Sequence, residues 1–134
     1  MTLMLSDYFF HYPMQTRWKD MDSFRHVNNA TFLTYIEDAR ISMFNHWKIQ
    51  DERKSIIIAS ITMDYHRQLK HPSSIIIGQK ISRIGNTSFD ISSGVFIDGE
   101  VEPIATGMVT CVCFDYIKNV PVAIYDTIKN DYKK

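Results

Sequence analysis

Residues 17–30 read Arg-Trp-Lys-Asp-Met-Asp-Ser-Phe-Arg-His-Val-Asn-Asn-Ala. This stretch places two carboxylates, Asp20 and Asp22, in a polar turn, followed by one histidine and two asparagines. Asparagine is a preferred residue at the N-terminal cap of a helix. A helix that begins here leaves its first backbone amides without partners inside the helix, where they favour negative charge.

The residues after this stretch predict one long helix over residues 30–47. Large apolar side chains recur there at steps of three or four, at Phe32, Ile36, Ala39, Met43 and Trp47. Runs or alternations of apolar residues predict strands over residues 8–18, 56–65, 74–84, 89–97 and 103–114. One helix among a series of antiparallel strands is an α+β arrangement, in which the helix buries its apolar stripe against the sheet.

Composition favours one domain over residues 1–134. Hydrophobic residues make up 45% of the chain and charged residues 22%, which suits a folded core with a hydrated surface. Lys plus Arg equals Asp plus Glu, 15 against 15, so there is no general attraction to nucleic acid or to an anionic membrane. The chain shows neither a basic leader nor an apolar run of ~20 residues. We therefore expect a cytoplasmic protein with no nucleic-acid or membrane partner.

The two cysteines, Cys111 and Cys113, lie two apart in a predicted strand. Same-face neighbours on a strand are ~7 Å apart, at or beyond the reach of a disulfide. A metal site would need further ligands nearby, and the sequence offers none. We expect two buried, reduced thiols, and no metal or other cofactor.

The segment from Asp20 to Ala30 resembles the Asp-x-Asp-x-x-x-His-Val-Asn-Asn-Ala signature of thioesterases related to 4-hydroxybenzoyl-CoA thioesterase. The long-chain acyl-CoA, FadM-like branch is the most similar. Residues 35–40, 61–69, 84–88 and 105–114 resemble further parts of the family, so the match covers nearly all of residues 8–128. The resemblance implies a hotdog fold, in which about five antiparallel strands form a curled sheet around one long central helix. It also implies homodimers, often paired as homotetramers, with the active site at the dimer interface.

The resemblance implies an acyl-CoA thioesterase and assigns its residues. Asp22 falls on the catalytic carboxylate, which acts as general base or as nucleophile. The backbone amide near Asn29 falls on the group that polarises the thioester carbonyl. His26 orients Asp22, lines the pocket or holds the turn. Family position assigns substrate binding to Asn28, Arg83, Asn86, Thr87 and Ser88.

Neighbouring charged residues have other interpretations. Asp20 is expected to be structural, capping the turn or pairing with Lys19 or Arg25. Glu37 is a second candidate for the carboxylate, although a solvated face or a tie to Arg40 is the simpler reading. Arg25 stands where relatives often carry a small residue, which bears on substrate choice.

Two other functional classes stay open. One is a hotdog domain that binds acyl-CoA or assembles with partners without catalysis. The other is a hotdog dehydratase or hydratase, although those enzymes resemble one another in an Asp-x-Asn-Pro-x-His pattern that is absent here. Coenzyme A and acyl carrier protein both remain as carriers of the acyl group.

Overall fold

The computed structural model describes residues 3–49 and 53–132. It has six strands and two α-helices, with short 3-10 helices at Leu5–Asp7 and Trp18–Asp20. The strands are β1 (Phe10–Gln15), β2 (Ser55–Tyr65), β3 (Ser74–Ile84), β4 (Ser88–Ile97), β5 (Ala105–Asp115) and β6 (Val120–Pro121). The helices are α1 (Asn29–His46) and α2 (Asp126–Tyr132).

The strands form one antiparallel sheet in the order β1-β3-β4-β5-β2, with β6 paired to β5. The register shifts between Ile58 and Ser60 in β2 and between Ile81 and Arg83 in β3. Such bulges bend a strand and increase its twist. The sheet thereby curls around α1, as the sequence predicted.

Helix α1 begins where the asparagines predict it. The side-chain oxygen of Asn28 accepts a hydrogen bond from the backbone N–H of Ala30 at 2.9 Å, which is an N-cap interaction. The side chains that α1 buries against the sheet are Phe32, Tyr35, Ile36, Ala39, Arg40 and Met43. Four of the five predicted positions are in this list, and the fifth, Trp47, is buried just beyond the last residue of the helix. Tyr35 and Arg40 are added, so the helix buries two polar groups as well.

The structure corrects the predicted ends of β1. The predicted strand ran over residues 8–18, but β1 covers Phe10–Gln15 and Trp18 begins a 3-10 helix. A carboxylate oxygen of Asp20 accepts the backbone N–H of Arg17 at 2.9 Å, which closes that turn. The aromatic side chain of Trp18 favoured a strand, but the cap formed by Asp20 places Trp18 in a 3-10 helix.

Helix α2 was not predicted, because seven residues are too few to show a helical period. Its Asp131 carboxylate accepts a hydrogen bond from the indole N–H of Trp47 at 2.6 Å, and its Ile128 is fully buried. These contacts tie the C-terminal segment to the end of α1. Neither α1 nor α2 meets the length and hydropathy needed to cross a bilayer.

The two cysteines are fully buried in the core and neither forms a disulfide. Burial raises the pKa of the Cys111 thiol to about 12, and it also raises the pKa of Cys113. Both thiols are therefore protonated and shielded at neutral pH, as expected for small buried side chains.

We predict that Ellman's reagent labels neither cysteine in the native protein at pH 8 and labels both after unfolding in urea. The labelling rate should follow the unfolding rate, because only the opened chain exposes a thiolate. Labelling within seconds in native buffer would contradict the buried positions of Cys111 and Cys113.

Candidate active site

The loop between β1 and α1 is closed by its own backbone. Met21 and Val27 form an antiparallel bridge, and the N–H of Asp22 donates to the carbonyl of His26 at 2.7 Å. Arg25 adopts a φ of 67°, in the left-handed region that a residue with a side chain occupies at a cost of ~1–2 kcal/mol. The loop is thus a tight hairpin that turns at Arg25.

The carboxylate of Asp22 is held by this loop. Its Oδ1 accepts the backbone N–H of Phe24 at 2.8 Å and that of His26 at 3.2 Å. Within residues 3–49 and 53–132, Oδ2 accepts no hydrogen bond from the protein. One oxygen therefore fixes the orientation of the carboxylate, and the other is left for water or a substrate.

Asp20 has a structural position, as predicted, but with other partners. Its buried carboxylate accepts the hydroxyl of Tyr35 at 2.6 Å and pairs with the guanidinium of Arg17 at 3.0 Å. The predicted pairing with Lys19 or Arg25 is wrong, because the 3-10 turn folds Arg17 back onto the carboxylate. Burial alone would raise the pKa of Asp20, but the hydrogen bonds from Tyr35 and Arg17 outweigh it and hold that pKa below its usual value.

Asp22 lines a cavity of about 400 Å³ at the start of α1. The other lining residues are His26, Val27, Asn28, Asn29, Phe32, Tyr65, His66, Arg67 and Gln68. All four residues that the sequence assigned to this region, Asp22, His26, Asn28 and Asn29, thus share one cavity. The backbone N–H of His26 donates to the Asp22 carboxylate, and His26 also lines the cavity.

The first residue of α1 supplies an available amide. Within the described residues the backbone N–H of Asn29 donates to no protein acceptor, while its carbonyl accepts the hydroxyl of Tyr65 at 2.9 Å. An amide at the first position of an 18-residue helix carries the positive end of the helix dipole. It is therefore suited to stabilise an oxyanion that forms beside Asp22.

The remaining predicted substrate-binding residues lie at the opposite end of the sheet. Arg83, Asn86, Thr87 and Ser88 surround the β3–β4 turn, and β3 is ~30 Å long. The guanidinium of Arg83 donates to the carboxylate of Asp90 at 2.8 Å and to the hydroxyl of Ser88 at 3.0 Å. Within one chain these residues do not reach the Asp22 cavity, so their role stays a prediction.

The sequence did not predict that residues 65–68, which begin at the last residue of β2, line the Asp22 cavity. The guanidinium of Arg67 pairs with Glu100 at 2.8 Å and donates to the carbonyl of Glu102 at 3.2 Å. The ring of His66 shares a hydrogen bond with the hydroxyl of Thr106 at 3.0 Å. The sequence signal was present, since residues 61–69 resembled a family segment, but nothing local marked them as part of a site.

A family model described as "Thioesterase-like superfamily" matches residues 16–130. The chain belongs to this superfamily. It is 22% identical over 130 residues to the acyl-CoA thioester hydrolase YbgC of Escherichia coli, an alignment that covers 93% of this chain and 96% of YbgC.

Solved structures share the fold of this chain. The PA5185 protein of Pseudomonas aeruginosa superposes with a TM-score of 0.89 at 26% identity, covering 99% of this chain and 95% of that one. A Thermus thermophilus thioesterase solved with coenzyme A and zinc superposes with a TM-score of 0.79 at 24% identity, covering 95% and 99%. The predicted hotdog fold is confirmed.

We predict that Tyr35→Phe lowers the free energy of unfolding by ~1.5–3 kcal/mol at pH 7, since it removes a donor from a buried carboxylate. The folded-state pKa of Asp20 is depressed, so this stabilisation is present above the ordinary aspartate pKa of about 4. It is lost as the pH falls through the depressed value.

Urea titrations of both proteins from pH 8 to pH 3 test this dependence. The difference in unfolding free energy should stay constant down to about pH 5 and shrink at lower pH. Tyr12→Phe is the matched control, since Tyr12 is half-buried on β1 and makes no side-chain hydrogen bond within the described residues. A difference that grows on acidification would contradict the assignment.

Proposed function

We propose that this protein hydrolyses acyl-CoA thioesters to a free acid and coenzyme A, with Asp22 as the catalytic carboxylate. One observation carries the proposal: Asp22 and Asn29 line one cavity, and within the described residues the Asp22 Oδ2 atom and the Asn29 backbone N–H have no protein partner. A thioester carbonyl placed there would have a base or nucleophile on one side and an oxyanion donor on the other. The membership of a thioesterase family and the similarity to YbgC support the same reaction.

Two routes use the same atoms. In the first, Asp22 takes a proton from water while the water oxygen attacks the carbonyl carbon. The carbonyl electron pair moves to oxygen, where the Asn29 amide stabilises it, and its return breaks the carbon–sulfur bond. The thiolate that leaves takes up a proton. In the second route Asp22 attacks directly, the thiolate leaves, and water hydrolyses the resulting anhydride.

The polar wall of the cavity suits the carrier of the acyl group. Asn28, His66 and Gln68 line the cavity and carry donors and acceptors that match the amides of a pantetheine arm. Coenzyme A and acyl carrier protein share that arm, and similarity to YbgC favours coenzyme A. We propose that the reaction needs no resident metal or redox cofactor and takes place in the cytoplasm.

We further propose that the working enzyme is a dimer formed along β2. This strand ends the sheet, so one of its edges has no neighbouring strand among residues 3–49 and 53–132. Exposed apolar side chains lie on both β2 and α1, at Leu33, Ile41, Ile58, Ile61 and Tyr65. Open strand edges and exposed apolar side chains are typical of an interface between copies.

A dimer of this kind would bring the predicted substrate-binding residues to the site. In an antiparallel pairing of two β2 strands, the Ser55 end of one lies beside the Tyr65 end of the other. The β3–β4 turn lies at the Ser55 end, since Cys113 pairs with Ile56 and donates its N–H to the carbonyl of Thr87 at 2.9 Å. The partner's β3–β4 turn would therefore stand near the Asp22 cavity.

We predict that Asp22→Asn lowers kcat on acyl-CoA by ~10²–10⁴-fold, because it removes the base or nucleophile. Asparagine keeps the oxygen that accepts the N–H groups of Phe24 and His26, so the loop should stay folded. Thiol release from acetyl-, octanoyl-, palmitoyl- and phenylacetyl-CoA measures the effect. Asp98→Asn is the control, since it removes the same charge from an exposed turn outside the cavity.

The outcomes separate the open classes of function. Equal turnover of Asp22→Asn and the wild type would refute the catalytic assignment. Binding of acyl-CoA without turnover by the wild type would favour a binding module. Hydration of an enoyl-CoA in place of thiol release would favour a hydratase.

We predict that Ile61→Lys shifts the protein from dimer toward monomer, because it places a charge in the proposed interface. Sedimentation equilibrium measures the mass, and thiol release should fall with the dimer fraction. Val101→Lys is the control, since Val101 is exposed on the β4–β5 connection. A wild-type protein that stays monomeric at micromolar concentration while it turns over substrate would contradict the dimer.

A further inference from the structure

A second cavity shares the lining residue His26 with the Asp22 cavity. It has a volume of about 610 Å³ and is lined by Trp18, Met21, Phe24, Arg25, His26, Lys70 and His71. We call it the Trp18–Phe24 groove. Trp18 is 76% exposed and Phe24 is 78% exposed, more than any other large apolar side chain in residues 3–49 and 53–132. Exposed aromatic rings around a concave surface are typical of a ligand site.

Local contacts hold the groove, and one of them also holds the Asp22 carboxylate. The ring of Trp18 packs edge to face on that of His71, which shares a hydrogen bond with the Thr16 hydroxyl at 2.9 Å. The backbone of Phe24 donates its N–H to the Asp22 carboxylate. The backbone of Phe24 is therefore tied to Asp22, and Trp18 is tied through His71 to Thr16.

The two cavities share His26 and differ in chemistry. The Asp22 cavity is lined mostly by polar side chains, whereas Trp18, Met21 and Phe24 give the groove apolar walls. A thioester has the same asymmetry, since a polar pantetheine arm and an acyl group leave the reacting carbonyl in different directions. An apolar acyl chain gains from leaving water and from contact with aromatic rings.

We propose that the Trp18–Phe24 groove binds the acyl group of the substrate and that Trp18 and Phe24 determine selectivity for apolar acyl groups longer than acetyl. This inference rests on the proposed function, since it places the reacting carbonyl at Asp22. Selection acts by burial, because each methylene that enters the groove removes apolar surface from water.

The cations at the groove do not favour the nucleotide of coenzyme A as its occupant. Arg25 and Lys70 would suit a phosphate, but an extended pantetheine arm places the first phosphate ~15 Å from the sulfur. The groove shares a wall residue with the Asp22 cavity, so it adjoins the reacting carbonyl. The acyl group begins at that carbonyl and meets this constraint directly.

The test compares substrates of two lengths in Trp18→Ala and Phe24→Ala. We expect the ratio of kcat/KM for octanoyl-CoA to that for acetyl-CoA to fall ~10-fold or more in each variant. Tyr116→Ala is the matched control, since it removes an exposed ring from the turn between β5 and β6. An unchanged ratio in both groove variants would overturn the proposal. An equal fall of kcat/KM for octanoyl-CoA and acetyl-CoA, accompanied by a changed oligomeric state, would overturn it as well.

A second measurement does not depend on turnover. Trp18 is one of two tryptophans, and Trp47 is 1% exposed, so a ligand in the groove should change the fluorescence of Trp18 alone. In Asp22→Asn we expect octanoyl-CoA to shift the emission to shorter wavelength and free coenzyme A to leave it unchanged. Trp18→Phe in the same background should remove the response.

The two measurements separate the two proposals. A fluorescence response to octanoyl-CoA without hydrolysis by the wild type would support the groove and refute the hydrolase. Hydrolysis with the same fluorescence response to coenzyme A and octanoyl-CoA would refute the groove and leave the hydrolase. A blue shift caused by anionic vesicles alone would show that the aromatic rings bind a membrane surface instead, which also overturns the proposal.

Discussion

The buried carboxylate of Asp20 joins the segment after β1 to the long helix. The Asp20 side chain binds Arg17 and Tyr35, and the backbone carbonyl of Asp20 accepts the N–H of Asn28 at 2.9 Å. A buried charge is tolerated only when its hydrogen bonds are satisfied, so the groups around it must stay together. The N-cap of α1 is thereby held at a set distance from the loop that carries Asp22. The rest of the site depends on this connection.

A base and an oxyanion donor become useful together only when their separation is maintained without the substrate. Here the Asp22 carboxylate is oriented by two backbone amides of its own loop, and the Asn29 amide is oriented by the helix. Neither orientation depends on a flexible side chain. The free energy needed to orient these groups is therefore supplied by folding and not by substrate binding, which is what preorganisation means.

The sequence predicted the features that local rules determine. Strand β3 was predicted with its observed bounds, because turn residues flank a run rich in isoleucine, and the N-cap was predicted from its asparagines. Trp18 was misplaced because one capping carboxylate outweighed its strand propensity. The wall at residues 65–68 needed the tertiary structure, since only the paired sheet brings that strand end to α1. Arg83 lies outside the cavity of one chain, so its predicted contact with substrate stays a prediction that only an assembly of chains could fulfil.

Residues of the short Asp22 loop line both the polar Asp22 cavity and the apolar Trp18–Phe24 groove. Asp22 faces the polar cavity, while Met21 and Phe24 on the same loop face the groove. The backbone bonds that orient the carboxylate involve the amide of Phe24 and not its ring. The ring can therefore be exchanged for another without loss of the interaction that holds Asp22. If the groove binds the acyl group as proposed, this separation would let the loop accept different acyl groups, because the main-chain hydrogen bonds that orient Asp22 do not involve the Phe24 ring.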